Sequence, residues 1–298
     1  MSFEAAAQPT STVGGFDTAA ASTPHWQLSC IQLTSGPDPQ QNLAEIRRWC
    51  AALPAARPQL VALPEGALCF GGAADANVLL QEPLGQGPIQ AELAAIAREF
   101  AVYLLVGTFP TTAARPEQFA ASSLVFSPAG DLLADYQKIH LFDAQVADGT
   151  GAYRESSNTQ AGQKVTVADL GELKLGMSVC YDVRFAGLFM QMAARGMNVL
   201  AVPAAFTTVT GEAHWQVLLR ARAIETQSFV VAPAQTGRHA NGRETFGHSL
   251  IIDPWGRVLA DAGTAPGVIS CAVNLQESTA LAAKMPIASH QKFGSEWL

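Results

Sequence analysis

Three residues with the chemistry of acyl transfer stand at the ends of apolar runs. Leu173-Lys174-Leu175-Gly176-Met177-Ser178-Val179 leads into Cys180, and the charged stretch Tyr181-Asp182-Val183-Arg184 follows at once. A strand that stops at a thiol, just before the chain turns into a helix, sets that sulfur at the rim of a sheet where a substrate reaches it. Leu60-Val61-Ala62-Leu63-Pro64 delivers Glu65 in the same way, and Leu132 to Gln137 delivers Lys138. An amide is a poor electrophile with a poor leaving group. A site that cleaves it must generate a thiolate, hold an oxyanion and protonate the departing nitrogen. Thiol, carboxylate and ammonium are the parts needed to make, stabilise and hydrolyse a thioester.

Each of the three also has a plainer role. Cys180 could be a packed core thiol, Glu65 a solvated strand end and Lys138 a surface lysine whose stem lies on apolar neighbours. Partial burial of Glu65 is expected to raise its pKa and make it a base near neutral pH. Glu155, in Tyr153-Arg154-Glu155-Ser156, is a candidate second carboxylate beside Lys138, with a surface position as the alternative. Arg184, four residues after the thiol, either reaches a substrate carboxylate or pairs with Asp182.

Other groups bound the chemistry. Cys30, Cys50, Cys69 and Cys271 sit in apolar patterns with no charged turn behind them and read as core. Five widely spaced cysteines suggest reduced thiols, and hence a cytoplasmic protein, instead of a disulfide framework. His140, His214 and His248 fall near element ends, so a Cys-His peptidase stays open. There is no CxxC and no i, i+4 histidine pair, so no metal is expected. Gly149-Thr150-Gly151 begins like a dinucleotide fingerprint, but Arg154 stands where the third glycine belongs.

The elements that must carry these residues alternate. Trp26 to Leu33, Gln59 to Leu63 and Val102 to Gly107 read as strands, separated by helical patterns at Leu43 to Leu53 and Ile89 to Phe100. Ser122 to Ser127 and Leu132 to Tyr136 flank a turn. The stretch from Phe142 to Gly162 has no period and reads as a long loop. Beyond it come the strand to Cys180, a helix with Phe185, Leu188, Phe189 and Met192, a strand at Asn198 to Pro203, a helix near Glu212 to Gln227, and strands at Ser228 to Pro233, His248 to Asp253, Val258 to Ala262 and Val268 to Val273. Residues 1–25 read as a flexible extension and 26–298 as one α/β domain. The net charge of -7 and the scattered 18 Lys and Arg residues argue against nucleic-acid binding. No apolar run approaches the ~20 residues of a membrane span.

Leu63-Pro64-Glu65, Tyr136-Gln137-Lys138-Ile139-His140-Leu141-Phe142-Asp143 and Ser178-Val179-Cys180-Tyr181-Asp182-Val183-Arg184-Phe185 together resemble the three signature segments of the nitrilase superfamily of carbon-nitrogen hydrolases, in order and in spacing. The resemblance implies a four-layer αββα sandwich that dimerises to αββα-αββα. It further implies Cys180 as nucleophile, Glu65 as general base and acid, Lys138 with the Tyr181 N–H at the oxyanion, Glu155 in support, and no cofactor. Arg154-Glu155-Ser156, Ala205-Phe206-Thr207-Thr208-Val209-Thr210-Gly211 and Ala213-His214-Trp215 are similar to a branch of small amidases that includes ω-amidase and deaminated glutathione amidase. Arg184, Phe206 and Thr207 are then expected in the substrate site. Gln137 and Ala147-Asp148 depart from the pattern of the branch and bear on substrate preference. The implied activity is release of ammonia from a small carboxylate-bearing amide, deaminated glutathione first, with α-ketoglutaramate or a catalytically silent binding subunit as alternatives.

Overall fold

A computed structural model describes residues 25–148 and 152–296. The expected extension, apart from His25, and Gly149-Thr150-Gly151 lie outside the described residues. Two main sheets form. The first is seven-stranded, with Gly267–Val273, Trp26–Gln32, Gln59–Ala62, Tyr103–Thr112, Phe119–Phe126 and Leu132–Gln137 in spatial order and Thr159–Gln160 added beside Phe119. The second is six-stranded, in the order Val258–Asp261, Leu250–Ile252, Phe229–Ala232, Val199–Ala201, Leu173–Met177 and Val167–Leu170.

Alternation along the strands sorts the side chains into layers. Ile31, Val61, Leu63, Leu104, Val106 and Leu124 pack against Leu43, Ile46 and Cys50 of the helix Pro39–Cys50 and against Ile89, Leu93, Ile96 and Ala97 of the helix Pro88–Phe100. The former helix starts at Asp38, whose carboxylate accepts from Gln40 N at 2.8 Å, with Pro39 in its first turn. Leu28, Cys30, Leu60, Ala62, Leu105 and Val125 point the other way, into the core shared with Leu173, Leu175 and Met177 of the second sheet. Phe189 and Met192 of the helix Ala186–Ala193, with Leu219 and Ala223 of the helix Gln216–Thr226, close the far side. The order is helix, sheet, sheet, helix, as expected.

Each sheet has a parallel centre. Trp26–Gln32, Gln59–Ala62 and Tyr103–Thr112 run parallel in the first, and Leu173–Met177, Val199–Ala201 and Phe229–Ala232 in the second. Loops that leave the carboxyl ends of such strands gather at one edge and build the crevice there. Leu132–Gln137 is antiparallel to its neighbour, which is itself antiparallel to Tyr103–Thr112, so it also ends at that edge.

Several elements differ from expectation. The segment 142–162 is not a bare loop: Asp143–Gln145 pairs with Ala152–Arg154, Glu155–Ser157 is a 3-10 turn, and Thr159–Gln160 joins the first sheet. Strands of two or three residues are too short to show a period. The hairpin of Thr236–Arg238 with Glu244–Phe246 escapes notice for the same reason. The helix near residue 212 opens with a turn at Thr208–Thr210 and a π-helical stretch at Gly211–Trp215. Two helices, Gln276–Lys284 and Ile287–His290, follow the strand expected to close the series.

Candidate active site

The backbone aims the three groups. Glu65 leaves the end of Gln59–Ala62, where Leu63 N still bonds Leu105 O at 2.8 Å. The next strand can run that close only because residue 107 is glycine: a Cβ there would lie 2.2 Å from Pro64 O. Lys138 N donates to Ala121 O at 2.9 Å and Lys138 O accepts from Gly162 N at 2.8 Å, so its backbone is gripped on both sides. Cys180 has φ +50°, a left-handed conformation that a non-glycine residue holds only under restraint. The restraint is visible: Cys180 N donates to Pro203 O at 2.8 Å. The chain then forms a 3-10 turn, Cys180–Arg184, before the helix, which therefore does not start at once.

Asp182 ties the two sheets together at this point. Its carboxylate is fully buried (0% exposed) and accepts from Tyr136 Oη and His140 Nδ1 at 2.7 Å, from Val179 N at 2.8 Å and from His140 N at 3.0 Å. The strand that ends at Lys138 is thus fastened to the turn that holds Cys180. Asp182 is committed to this role, so the ion pair with Arg184 does not form.

The side chains converge. Lys138 is 1% exposed, and its Nζ lies 2.8 Å from Glu65 Oε1 and 2.9 and 2.8 Å from the two oxygens of Glu155. Glu155 is held by Phe142 N at 2.6 Å. Glu65 Oε2 accepts from Ala205 N at 2.9 Å, and the same carboxylate meets the Cys180 thiol. Burial works against the charge of Lys138, but Glu155 and Glu65 outweigh it and hold its pKa well above the usual lysine value. Burial also pushes Glu65 upward, yet the adjacent ammonium wins and its pKa is lowered. This reverses the sequence expectation, because that reading had no cation in contact. Burial and the neighbouring Glu65 push the Cys180 thiol well above its usual value despite Lys138. The resting site is a thiol beside a carboxylate beside an ammonium.

These groups form the floor of a cavity of about 960 Å³. Phe206 and Thr207 stand in its wall; the Thr207 hydroxyl caps the following turn, accepting from Thr210 N at 3.3 Å. Arg184 reaches the cavity with its guanidinium 5.4 Å from the Phe206 ring and Nη1 3.2 Å from His214 Nδ1. No histidine lines the cavity among the described residues. His140 is bound to Asp182 and His248 to Asp261. Cys30 is sealed in the core, and burial pushes the Cys50 thiol up to about 12, as inert thiols should be. Sequence reasoning missed Asp182 as a structural tie. It also missed Gln235, fully buried, whose Nε2 donates to Glu65 O at 3.0 Å, and Arg243, whose Nη2 donates to Ala205 O at 2.7 Å. The buried Gln235 and the cationic Arg243 carried no strand-end signal of the kind that marked the other three.

A family model, "Carbon-nitrogen hydrolase", matches residues 27–283. The chain belongs to that family. Among relatives of this carbon-nitrogen hydrolase, the deaminated glutathione amidase of Yersinia enterocolitica is 41% identical over 90% of this chain and 93% of its own. The human deaminated glutathione amidase is 38% identical over 89% and 82%. Among solved structures, the NitFhit protein of C. elegans superposes with a TM-score of 0.81 at 31% identity, over 92% of this chain and 66% of that one. Nit3 of Saccharomyces cerevisiae, a member of branch 10 of the nitrilase superfamily, gives 0.78 at 27% identity over 90% and 96%.

Proposed function

We propose that this protein hydrolyses the amide of deaminated glutathione through a thioester on Cys180. The observation that carries the mechanism is the contact chain on the cavity floor, with Lys138 Nζ within 2.9 Å of both Glu65 and Glu155 and the thiol against Glu65. The substrate reading rests on the relatives' names and on a cavity with cations at its rim.

The proton moves as the bonds do. The thiol pKa is raised and the Glu65 pKa lowered, so free transfer is uphill, and the S–H proton passes to Glu65 as sulfur bonds to the carbonyl carbon. The carbonyl electron pair moves to oxygen, where Lys138 Nζ and the Tyr181 N–H receive it. Collapse breaks the C–N bond, and Glu65 returns its proton to the departing nitrogen. Glu65 then takes a proton from water as the water oxygen attacks the thioester. The released thiolate recovers that proton. The sum is amide plus water to acid plus amine.

For deaminated glutathione the amine is cysteinylglycine, and the acid is α-ketoglutarate. Ammonia leaves only from a primary amide such as α-ketoglutaramate, so the sequence expectation of ammonia release applies to that substrate alone. The test is kcat/KM for both, with cysteinylglycine and ammonia measured separately. Preference for deaminated glutathione supports the reading. Preference for α-ketoglutaramate makes the protein an ω-amidase with the same floor, and no turnover of either, with an unreactive Cys180, makes it a silent binding subunit.

A further inference from the structure

The floor of the cavity carries one ammonium and two carboxylates, Lys138 against Glu65 and Glu155, a net negative charge toward an acidic substrate. Cations must offset this, and two of those lining the cavity stand in different places. Arg184 belongs to the turn that carries Cys180 and lies against Phe206. Arg243 comes from the hairpin Thr236–Arg238/Glu244–Phe246 and its connecting loop, and approaches from the side of Glu65.

The surroundings of Arg243 are built. Its guanidinium lies 4.9 Å from the Phe70 ring centroid and 5.1 Å from that of Tyr153, between the segment that follows Glu65 and the short strand Ala152–Arg154. Nη2 donates to Ala205 O at 2.7 Å, and the N–H of that same residue donates to Glu65 Oε2 at 2.9 Å. One residue therefore separates the guanidinium from the carboxylate that returns a proton to the leaving nitrogen. Among the described residues Arg243 pairs with no carboxylate, and its buried Nε has no hydrogen-bond partner. With no carboxylate of the protein to pair with, the guanidinium lining the cavity leaves its charge-assisted bonds to be made with a ligand.

We infer that Arg243 binds the carboxylate carried by the amine half of the substrate, and so selects amides whose leaving group is an acidic peptide over primary amides. This rests on the reading of deaminated glutathione as substrate. It divides the work: Arg184 faces the acyl half, which α-ketoglutaramate shares, and Arg243 faces the half that only the larger substrate has.

The test uses α-ketoglutaryl amides with one acyl group and three leaving groups: cysteinylglycine, cysteinylglycine carboxamide and ammonia. The wild type should favour the free carboxylate over the carboxamide in kcat/KM by about tenfold or more, as a charge-assisted contact implies. Arg243→Met should shrink that ratio toward one, largely through KM, while Arg243→Lys restores part of it. The loss on the primary amide reports what Arg243 contributes through Ala205 and is divided out. A ratio that stays unchanged in Arg243→Met overturns the assignment. So does transfer of the whole effect to Arg238→Met, the exposed arginine of the same hairpin. A wild type that cleaves the amides without discriminating carboxylate from carboxamide overturns the role of Arg243 alone. A wild type that cleaves none of them overturns the proposed function and this role with it.

Discussion

The floor and the rim of the cavity handle charge in opposite ways. On the floor each charge has a charged neighbour within hydrogen-bond distance: Lys138 meets Glu65 and Glu155, and the Glu65 carboxylate also takes Ala205 N. At the rim, Arg184 rests on His214 and aromatic rings, and Arg243 on a carbonyl and aromatic rings. Neither has a carboxylate partner among the described residues. Matched charges hold one geometry and suit a reaction whose groups must not move. Unmatched cations leave their strongest bond to be made with a ligand. In the proposed reaction the floor decides which bond is broken, and the rim decides in which molecule.

The comparison breaks most sharply at Cys180. Cys180→Ala should abolish turnover while circular dichroism and the unfolding midpoint stay near wild type, and intact mass of the wild type with a slow substrate should show an acyl adduct. Appreciable activity in Cys180→Ala sinks the mechanism. Lys138→Met should lower kcat by about 10² to 10³, the cost of one oxyanion donor. It also leaves Glu65 and Glu155 facing each other, so the unfolding midpoint should drop as well. Lys138→Arg should fail too, because the guanidinium is larger and planar. If either variant keeps the wild-type rate, the floor is misassigned.

Asp182→Asn tests whether the tie between the sheets sets that geometry. It should reduce kcat by about 10² with KM little changed, since a small misplacement of reacting groups has that effect. A KM change alone would move Asp182 to the rim. Arg184→Leu should raise KM about tenfold for deaminated glutathione and α-ketoglutaramate together and leave a neutral amide nearly untouched. Equal effects on charged and neutral amides would mean a folding role.

The smallest effect expected is in pH. Glu65 has its folded pKa lowered below the ordinary 4.5, so its base form persists as pH falls through that value, and the acid limb of kcat/KM should lie below it. In stability the Glu65 contribution is present above its unfolded pKa and is lost as pH falls through the folded one. Lys138, raised above 10.5, contributes fully below its unfolded value and is lost only as pH rises through the folded one. An acid limb near neutrality in Cys180-dependent turnover would contradict the assignment of Glu65.

Much of the frame was legible in the sequence. The strands before Glu65 and Cys180 are largely buried apolar runs, while the strand before Lys138 is half-exposed with Tyr136 inside; each ends in a sudden change of residue type. The helices Pro39–Cys50 and Pro88–Phe100 repeat their apolar positions over three turns, long enough for a period to emerge. Tertiary partnerships were not legible. The charge state of Glu65 depends on a lysine 73 residues away, and it was misjudged because burial alone was considered. Asp182 appears in sequence beside Arg184, while its partners Tyr136 and His140 arrive from the other sheet. The rim hairpin 236–246 is built from three-residue strands, and Arg243 becomes a cavity residue only through them.

Glu65 and Lys138 leave the first sheet, whereas Cys180 and Ala205 leave the second. Turnover is then a gauge of how the two halves of the sandwich are docked. A swollen form that keeps both sheets but lets them slide would retain its far-ultraviolet spectrum and still be inert, because the thiol would have lost its base. On gradual addition of denaturant, hydrolysis should fade together with the near-ultraviolet signal of Trp26 and Tyr136, which lie in the core shared by the sheets, and ahead of any loss of secondary structure.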